Sequence, residues 1–167
     1  MTTLLADLRY AARRLRRSPG FTVAGVELSR LAVEQFFAER GLTPAVSQAG
    51  QLERFSAEGV TLFVGDIFDL DRDTLPAVDA TYDRAALVAL PAPLRPRYAA
   101  HLIELTSSAP QLLVTFEYDQ TRRPGPPFSV MEAEVREHYG ATYLLERRSA
   151  RCQVDSRAPT QHRRVSG

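Results

Sequence analysis

An acidic residue at the end of a short apolar run has the clearest chemical potential in this chain of 167 residues. Glu27 ends the run Val23–Glu27, and Ser29 directly after it is suited to begin a helix. In nucleotide-binding α/β folds, an acid in this place accepts hydrogen bonds from the two ribose hydroxyls of an adenosine-bearing cofactor. The alternative is an ordinary strand-end acid that the N-terminus of the following helix stabilises.

The cofactor interpretation of Glu27 lacks one expected part. A ribose-binding acid normally follows a glycine-rich turn by about 20 residues. The corresponding stretch of this chain, residues 1–10, contains no glycine. The sequence therefore predicts the ribose half of a cofactor site without the glycine-rich half.

Two other strand ends carry polar side chains. Asp66 follows the apolar run Val60–Val64 and can accept a hydrogen bond from an adenine amino group, while Ile67 offers the ring an apolar surface. Asp83 and Arg84 end another run, and a guanidinium there can stabilise an anion that develops on a substrate. The alternatives are an ordinary turn acid at Asp66 and a structural ion pair or helix cap at the second strand end.

The residue types that most often bind metals or act as nucleophiles are scattered. His101, His138 and His162 have no mutual spacing that indicates a metal site or a triad. Cys152 is the single cysteine and lies in a polar region, so we expect neither a disulfide nor a nucleophilic thiol.

Charge is distributed unevenly along the chain. Residues 1–20 carry a net charge of +4 and residues 147–167 carry +5, whereas residues 21–146 carry −8. An acidic body disfavours phosphate-rich polymers, so we expect no nucleic-acid partner. No apolar run approaches the roughly 20 residues that cross a bilayer, and no signal peptide is recognisable. These features predict a cytoplasmic protein without an integral membrane segment.

Apolar patterning predicts strands that alternate with helices, which is typical of a mostly parallel sheet between helices. Ligands of such sheets bind beyond the carboxyl ends of the strands. Residues 43–58 are predicted to be loop-like, except for a candidate hairpin around the Glu58–Gly59 turn. Strands are predicted at 21–28, 52–56, 60–64, 78–82, 111–117 and 142–146, and helices at 3–17, 29–40, 85–90, 94–105 and, from a capping box, 129–139.

Several motifs occur together in one order. They are VAGVELSRLAVEQFFAERGL, GVTLFVGDIFDL, YDRAALVALP, RYAAHL, LLVTFEYDQ, GPPFSV and YLLERR. Over residues 23–148 the chain resembles the bacterial thiopurine S-methyltransferases. The resemblance implies an α/β class I fold, Rossmann-like, with S-adenosylmethionine as cofactor and aromatic or heterocyclic thiols as methyl acceptors. It also implies a monomer.

The resemblance assigns roles to individual residues on the cofactor side. Glu27 matches the acid that binds the cofactor ribose, and Asp66 and Ile67 match the pair beside the adenine. Arg84 matches an arginine between the cofactor and the thiopurine, where it favours the thiolate.

The resemblance also assigns a substrate side. Asp83 is implied beside Arg84 as part of the catalytic group. Tyr118, Pro127 and Phe128, which belong to the loop 118–128, are implied to wall the substrate pocket.

The two ends of the chain differ from the family pattern. Residues 7–22 resemble the N-terminus of ABC-transporter permeases of the macrolide-exporter type, and no tryptophan is present. Residues 149–167 show no strand pattern and are predicted to be disordered. We therefore expect three parts: a basic amphipathic helix in 1–20, a partial methyltransferase domain in 21–148, and a tail.

A methyltransferase sheet without its first strand and its C-terminal strands is expected to bind cofactor weakly and to be poorly stable, because each buried unpaired backbone group costs about 1–3 kcal/mol. The alternative function is a non-catalytic fragment whose basic helix binds a membrane surface or a protein partner.

Overall fold

The computed structural model describes residues 22–148, so the predicted helix at 3–17, Cys152, His162 and the tail lie outside the described residues. Within 22–148 no helix is long and apolar enough to cross a membrane. The strands are β1 Val23–Glu27, β2 Ala45–Ala49, β3 Leu52–Ala57, β4 Val60–Val64, β5 Thr81–Asp83 and β6 Gln111–Leu113, and the α-helices are α1 Arg30–Ala38, α2 Ala86–Ala89, α3 Arg95–Leu105 and α4 Glu132–Tyr139.

The strands form two sheets. One has the order β1-β4-β3-β2, and the other pairs β5 with β6. The β1–β4 and β5–β6 pairings are parallel, whereas β3 pairs antiparallel with both β2 and β4. Half of the described pairings are therefore antiparallel. The predicted hairpin is confirmed, and the prediction of a mostly parallel sheet is wrong for residues 22–148.

Strand β4 lies at the centre of the four-stranded sheet, and both of its faces are covered. Val60 and Leu62 pack in one cluster with Phe36 and Phe37 of α1. Phe63 points to the opposite face and packs with Leu105 of α3. Successive strand residues face opposite sides, so this continuous apolar run places a helix on each side of the sheet.

Helix α3 packs against both sheets. Its Leu105 belongs to a buried cluster against which Val26 of β1 packs. Its Tyr98 and Leu102 belong to a second cluster, against which Leu113 of β6 packs. The helix therefore fixes the strand ends of one sheet relative to those of the other.

Helix α1 forms where the sequence predicts it. The hydroxyl of Ser29 accepts a hydrogen bond from Ala32 N at 3.3 Å, which is an N-cap contact. Gly41 has a φ of 65°, and the αL conformation of a glycine ends many helices. Both signals are local in sequence, which is why the prediction succeeds.

Strand β2 replaces a stretch that was predicted to be loop. Four of its five residues are exposed, and its sequence, AVSQA, has no apolar alternation. The strand forms by pairing all five of its residues with residues 52–56 of β3 through a turn at Gly50, whose φ is 61°. Pairing, not burial, holds this edge strand.

The predicted capping box at the start of α4 is wrong. The helix begins at Glu132 after an N-cap at Met131 that makes no side-chain hydrogen bond. The carboxylate of Glu117 accepts a hydrogen bond from Glu132 N at 3.2 Å instead, while Ser129 Oγ accepts one from Tyr118 N at 3.0 Å. Ser129 therefore fastens a loop and does not cap a helix.

Three strand predictions differ from the structure. The strand predicted at 78–82 occupies Thr81–Asp83, and the strand predicted at 111–117 ends at Leu113 because its partner β5 has only three residues. Residues 142–146 form no strand. Their backbone turns back onto α4, and Tyr143 OH donates to Ala109 O at 3.2 Å.

Candidate functional site

Glu27 lies at the carboxyl end of β1, directly opposite Val64 at the end of the parallel strand β4. Its carbonyl accepts a hydrogen bond from Gly65 N at 3.0 Å. Its side-chain Oε1 accepts one from Ser29 N at 3.0 Å, so the helix N-terminus orients the carboxylate. Among the described residues no hydrogen bond involves Oε2, which leaves that oxygen able to accept from a ligand.

Asp66 is brought to the same edge of the sheet as Glu27. It is exposed, and its Oδ1 accepts a hydrogen bond from Phe68 N at 3.0 Å, which begins the 3-10 turn Ile67–Asp69. Gly65 makes the turn between β4 and Asp66 possible. Its φ is 143°, and a Cβ on it would lie 2.3 Å from Cδ2 of Leu52.

Helix α3 connects this edge to the second sheet. His101 Nε2 makes a hydrogen bond with Ile67 O at 2.8 Å, and its ring lies 5.5 Å from the ring of Phe68. Arg97 of α3 also lies over the Phe68 ring, with its Cζ 3.9 Å from the ring centroid. Three contacts made by side chains of α3 therefore hold the 3-10 turn that contains Ile67 and Phe68.

Asp83, at the end of β5, is buried and fully engaged. Its Oδ1 accepts hydrogen bonds from Ala86 N at 3.1 Å and Leu87 N at 3.4 Å. Its Oδ2 accepts one from Tyr98 OH at 2.9 Å.

Burial raises the pKa of the Asp83 carboxyl, and the hydrogen bond from Tyr98 opposes that rise. Burial and the neighbouring Asp83 charge raise the pKa of the Tyr98 phenol.

Arg84 follows Asp83 in the bend between β5 and α2 and is half-buried. Because Asp83 accepts from the first amides of α2, it fixes the bend that carries Arg84. The arginine is thus positioned by a buried carboxylate directly before it in the sequence.

The loop 118–128 folds back against α2. Phe128 N donates to Val88 O at 2.6 Å, which places the end of the loop beside the helix that follows Arg84. Within the loop, the Tyr118 hydroxyl donates to Pro127 O. The three predicted pocket residues are therefore held together, and the end of the loop lies beside α2.

Two residues that contribute to this arrangement were missed in the sequence, Tyr98 and His101. Both point from α3, and their spacing of three residues places them on one face of the helix. Tyr98 holds Asp83 and His101 holds Ile67, so one helix face braces both halves of the candidate site. His101 was interpreted as an ordinary histidine, because the histidines have no spacing that indicates a metal site or a triad.

The fold and the site define a mixed α/β protein. An acid, Glu27, lies at the end of a parallel strand of one sheet, and a second polar cluster, Asp83 and Arg84, lies at the end of a strand of the other sheet. The thiopurine S-methyltransferase family model matches residues 16–165, and the chain belongs to that family. The matched range is wider than the 23–148 on which the resemblance was based.

Several curated relatives carry the same family name. The chain is 60% identical over 126 residues to the thiopurine S-methyltransferase of Xanthobacter autotrophicus, a match that covers 75% of this chain and 59% of the relative. It is 51% identical over 143 residues to the Gluconobacter oxydans enzyme, which covers 84% of this chain and 65% of that one. The relative from Teredinibacter turnerae is 50% identical over 129 residues, 77% of this chain and 60% of its own length. The chain spans about three fifths of the length of these relatives.

Proposed function

We propose that this chain transfers a methyl group from S-adenosylmethionine to the sulfur of aromatic or heterocyclic thiols, through one methyltransferase domain in residues 21–148 that acts as a monomer. The observation that carries the proposal is the convergence of Glu27 and Asp66 on one sheet edge, in a chain 60% identical to a thiopurine S-methyltransferase over the matched region.

The hydrogen-bond acceptors at this edge suit an adenosine group. Glu27 is oriented through Oε1 and can accept from ribose hydroxyls through Oε2. Asp66 is exposed beside it and can accept from the adenine amino group, and Ile67 offers an apolar surface. When bound, S-adenosylmethionine would supply an electrophilic methyl group that a thiolate accepts in a single in-line displacement, with S-adenosylhomocysteine as the leaving group and the thiol proton released to solvent.

The second polar cluster supplies the substrate side. Arg84 favours the thiolate, because a nearby guanidinium stabilises a negative sulfur. Asp83 acts through the bend that it caps, since its oxygens already accept three hydrogen bonds from the protein. Tyr118, Pro127 and Phe128 wall the pocket. Alignment of the two reactants is the largest contribution such a site can make, worth up to about 7–11 kcal/mol in favourable cases.

A methyl-transfer assay tests the proposal. The purified chain is incubated with S-adenosylmethionine labelled on its methyl group and with thiophenol, and labelled methyl phenyl sulfide is measured. We expect protein-dependent product, with kcat at least tenfold lower in Arg84→Met and the S-adenosylhomocysteine affinity of that variant nearly unchanged. Arg136→Met, which removes an exposed arginine of α4, is the control. Absence of product above the protein-free rate would contradict the proposed function.

A further inference from the structure

An ion pair between the buried Arg95 and the half-buried Glu134 lies beneath the loop 118–128. Arg95 is only 4% exposed, and its Nη1 donates to both carboxylate oxygens of Glu134, at 2.8 and 3.0 Å. The same guanidinium donates from Nε to Leu90 O at 2.9 Å and from Nη1 to Ser129 O at 3.4 Å. One side chain therefore connects α3, α4, the end of α2 and the residue that follows the loop.

Stability alone is a weak reason for this arrangement. An ion pair that contains a buried charge must offset the desolvation of that charge, and apolar side chains of similar volume often serve a protein interior equally well. What the arginine adds is direction, because its planar guanidinium donates to several acceptors along fixed lines. A lysine at position 95 would keep the charge but could not reproduce that set of donors.

The Phe128 ring is the element that these contacts fix. The guanidinium carbon of Arg95 lies 5.6 Å from the ring centroid. Gly125 also lies against the ring: it has a φ of 86°, and a Cβ on it would lie 2.6 Å from Cδ1 of Phe128. The backbone of Phe128 is held in addition by its hydrogen bond to Val88 O. The ring thus has a cation over it, a glycine against it and a fixed backbone.

We propose that Arg95 and Glu134 are a positioning pair that holds the Phe128 ring in the substrate pocket and thereby sets the affinity for aromatic thiols. The proposal rests on the proposed function, which assigns Phe128 to the pocket wall. Both residues act through Phe128 and not on the reacting atoms, so cofactor binding at Glu27 is unaffected by the pair.

Two variants test the pair against a matched control. Arg95→Lys keeps the positive charge, and Glu134→Gln keeps an acceptor oxygen. Arg136→Met removes an arginine of α4 that pairs with Glu132 and is 55% exposed. For each full-length protein, hydrogen exchange is followed by mass spectrometry. Calorimetry then measures the affinity for S-adenosylhomocysteine, and the affinity for thiophenol when S-adenosylhomocysteine is already bound.

In Arg95→Lys, we expect the segment that contains Phe128 and Val130 to exchange at least tenfold faster, while the Leu102 region of α3 is unchanged. The thiophenol Kd rises at least tenfold and the S-adenosylhomocysteine Kd changes less than twofold. Glu134→Gln shifts the same quantities in the same direction by a smaller factor. Arg136→Met leaves all of them unchanged.

Three results would overturn the proposal: unchanged exchange at Phe128 in both variants, equal acceleration in α3 and in the loop, or a loosened loop with unaltered thiophenol affinity. If the unaltered protein binds neither S-adenosylhomocysteine nor thiophenol, the proposed function fails. The exchange measurement then decides whether the pair holds the backbone of the segment that carries the Phe128 ring.

Discussion

Two aspartates near strand ends show how differently the two halves of the candidate site are built. Asp66 is exposed and accepts one backbone hydrogen bond, from Phe68 N. Asp83 is 5% exposed and accepts three, including one from the Tyr98 hydroxyl. The same residue type at the same kind of position is open to a ligand in one half and committed to the protein in the other.

This difference separates binding from positioning. An exposed carboxylate such as Asp66 can exchange water for a ligand at low cost, whereas a buried carboxylate with satisfied oxygens can only hold its neighbours in place. Helix α3 reaches both halves, through Tyr98 at Asp83 and through His101 at Ile67. We therefore expect loss of the Asp83 carboxylate to act mainly on stability, and loss of an exposed carboxylate to act mainly on ligand binding.

The largest effect on stability is expected from Asp83→Ala compared with Asp66→Ala. Loss of Asp83 removes its hydrogen bonds with the first two amides of α2, worth about 1 kcal/mol, and leaves the buried Tyr98 hydroxyl unpaired, which costs about 1–3 kcal/mol. Urea denaturation followed by circular dichroism should show a loss of roughly 2–4 kcal/mol for Asp83→Ala, against roughly 0.5 kcal/mol for an exposed site such as Asp66. Equal losses in the two variants would remove the distinction between the halves.

The next effect concerns the tight turn that carries Asp66. Gly65→Ala adds a Cβ at a φ of 143° and 2.3 Å from Cδ2 of Leu52, which is fully buried and cannot move away. We expect a loss of about 1–3 kcal/mol. Gly50→Ala is the matched control, because Gly50 also has a positive φ, 61°, but no atom within 4 Å of the added Cβ. Denaturation midpoints that fall equally in both variants would show that the contact with Leu52 is unimportant.

A smaller and pH-dependent effect is expected for Tyr98→Phe. The phenol donates to Asp83 and so opposes the rise that burial causes in the pKa of that carboxyl. Without the phenol, the folded-state pKa of Asp83 rises further above its unfolded value, and the free energy of unfolding falls as pH increases through that interval. The stability difference from the unaltered protein is therefore small in acid, where Asp83 is protonated, and about 1–2 kcal/mol at neutral pH.

Measuring the free energy of unfolding from pH 4 to pH 8 checks this sign. A difference that is constant over the whole range would mean that Tyr98 contributes packing alone. A difference that grows in acid would contradict the assigned hydrogen bond.

The sequence predicted what depends on near neighbours. Ser29 and Gly41 bound α1 through contacts within a few residues, and Glu27 was placed correctly at the end of a strand. Strand β2 was not predicted, because its pairing with β3 leaves no apolar pattern. The burial of Asp83 also has no local signal, since Tyr98, the side chain that covers one of its oxygens, lies on a helix 15 residues later.

Other parts of the site depend on contacts that are distant in sequence. The pairing of Arg95 with Glu134 joins residues 39 positions apart, and neither pattern nor spacing indicates it. Glu117, 15 residues before Glu132, accepts the hydrogen bond from Glu132 N. This contact takes the place of the capping box that the local sequence predicted. Tertiary packing decided both outcomes.

The most direct test of the account is calorimetric titration of S-adenosylhomocysteine into the unaltered chain and into Glu27→Gln, with Glu34→Gln on the exposed face of α1 as control. The account predicts saturable binding of S-adenosylhomocysteine to one site of the unaltered chain. The affinity falls by about tenfold to a hundredfold in Glu27→Gln, because charge-assisted hydrogen bonds contribute about 1.5–3 kcal/mol. The affinity of Glu34→Gln is unchanged. Equal affinity in all three proteins, or no binding by the unaltered chain, would contradict the assignment of Glu27 to the cofactor.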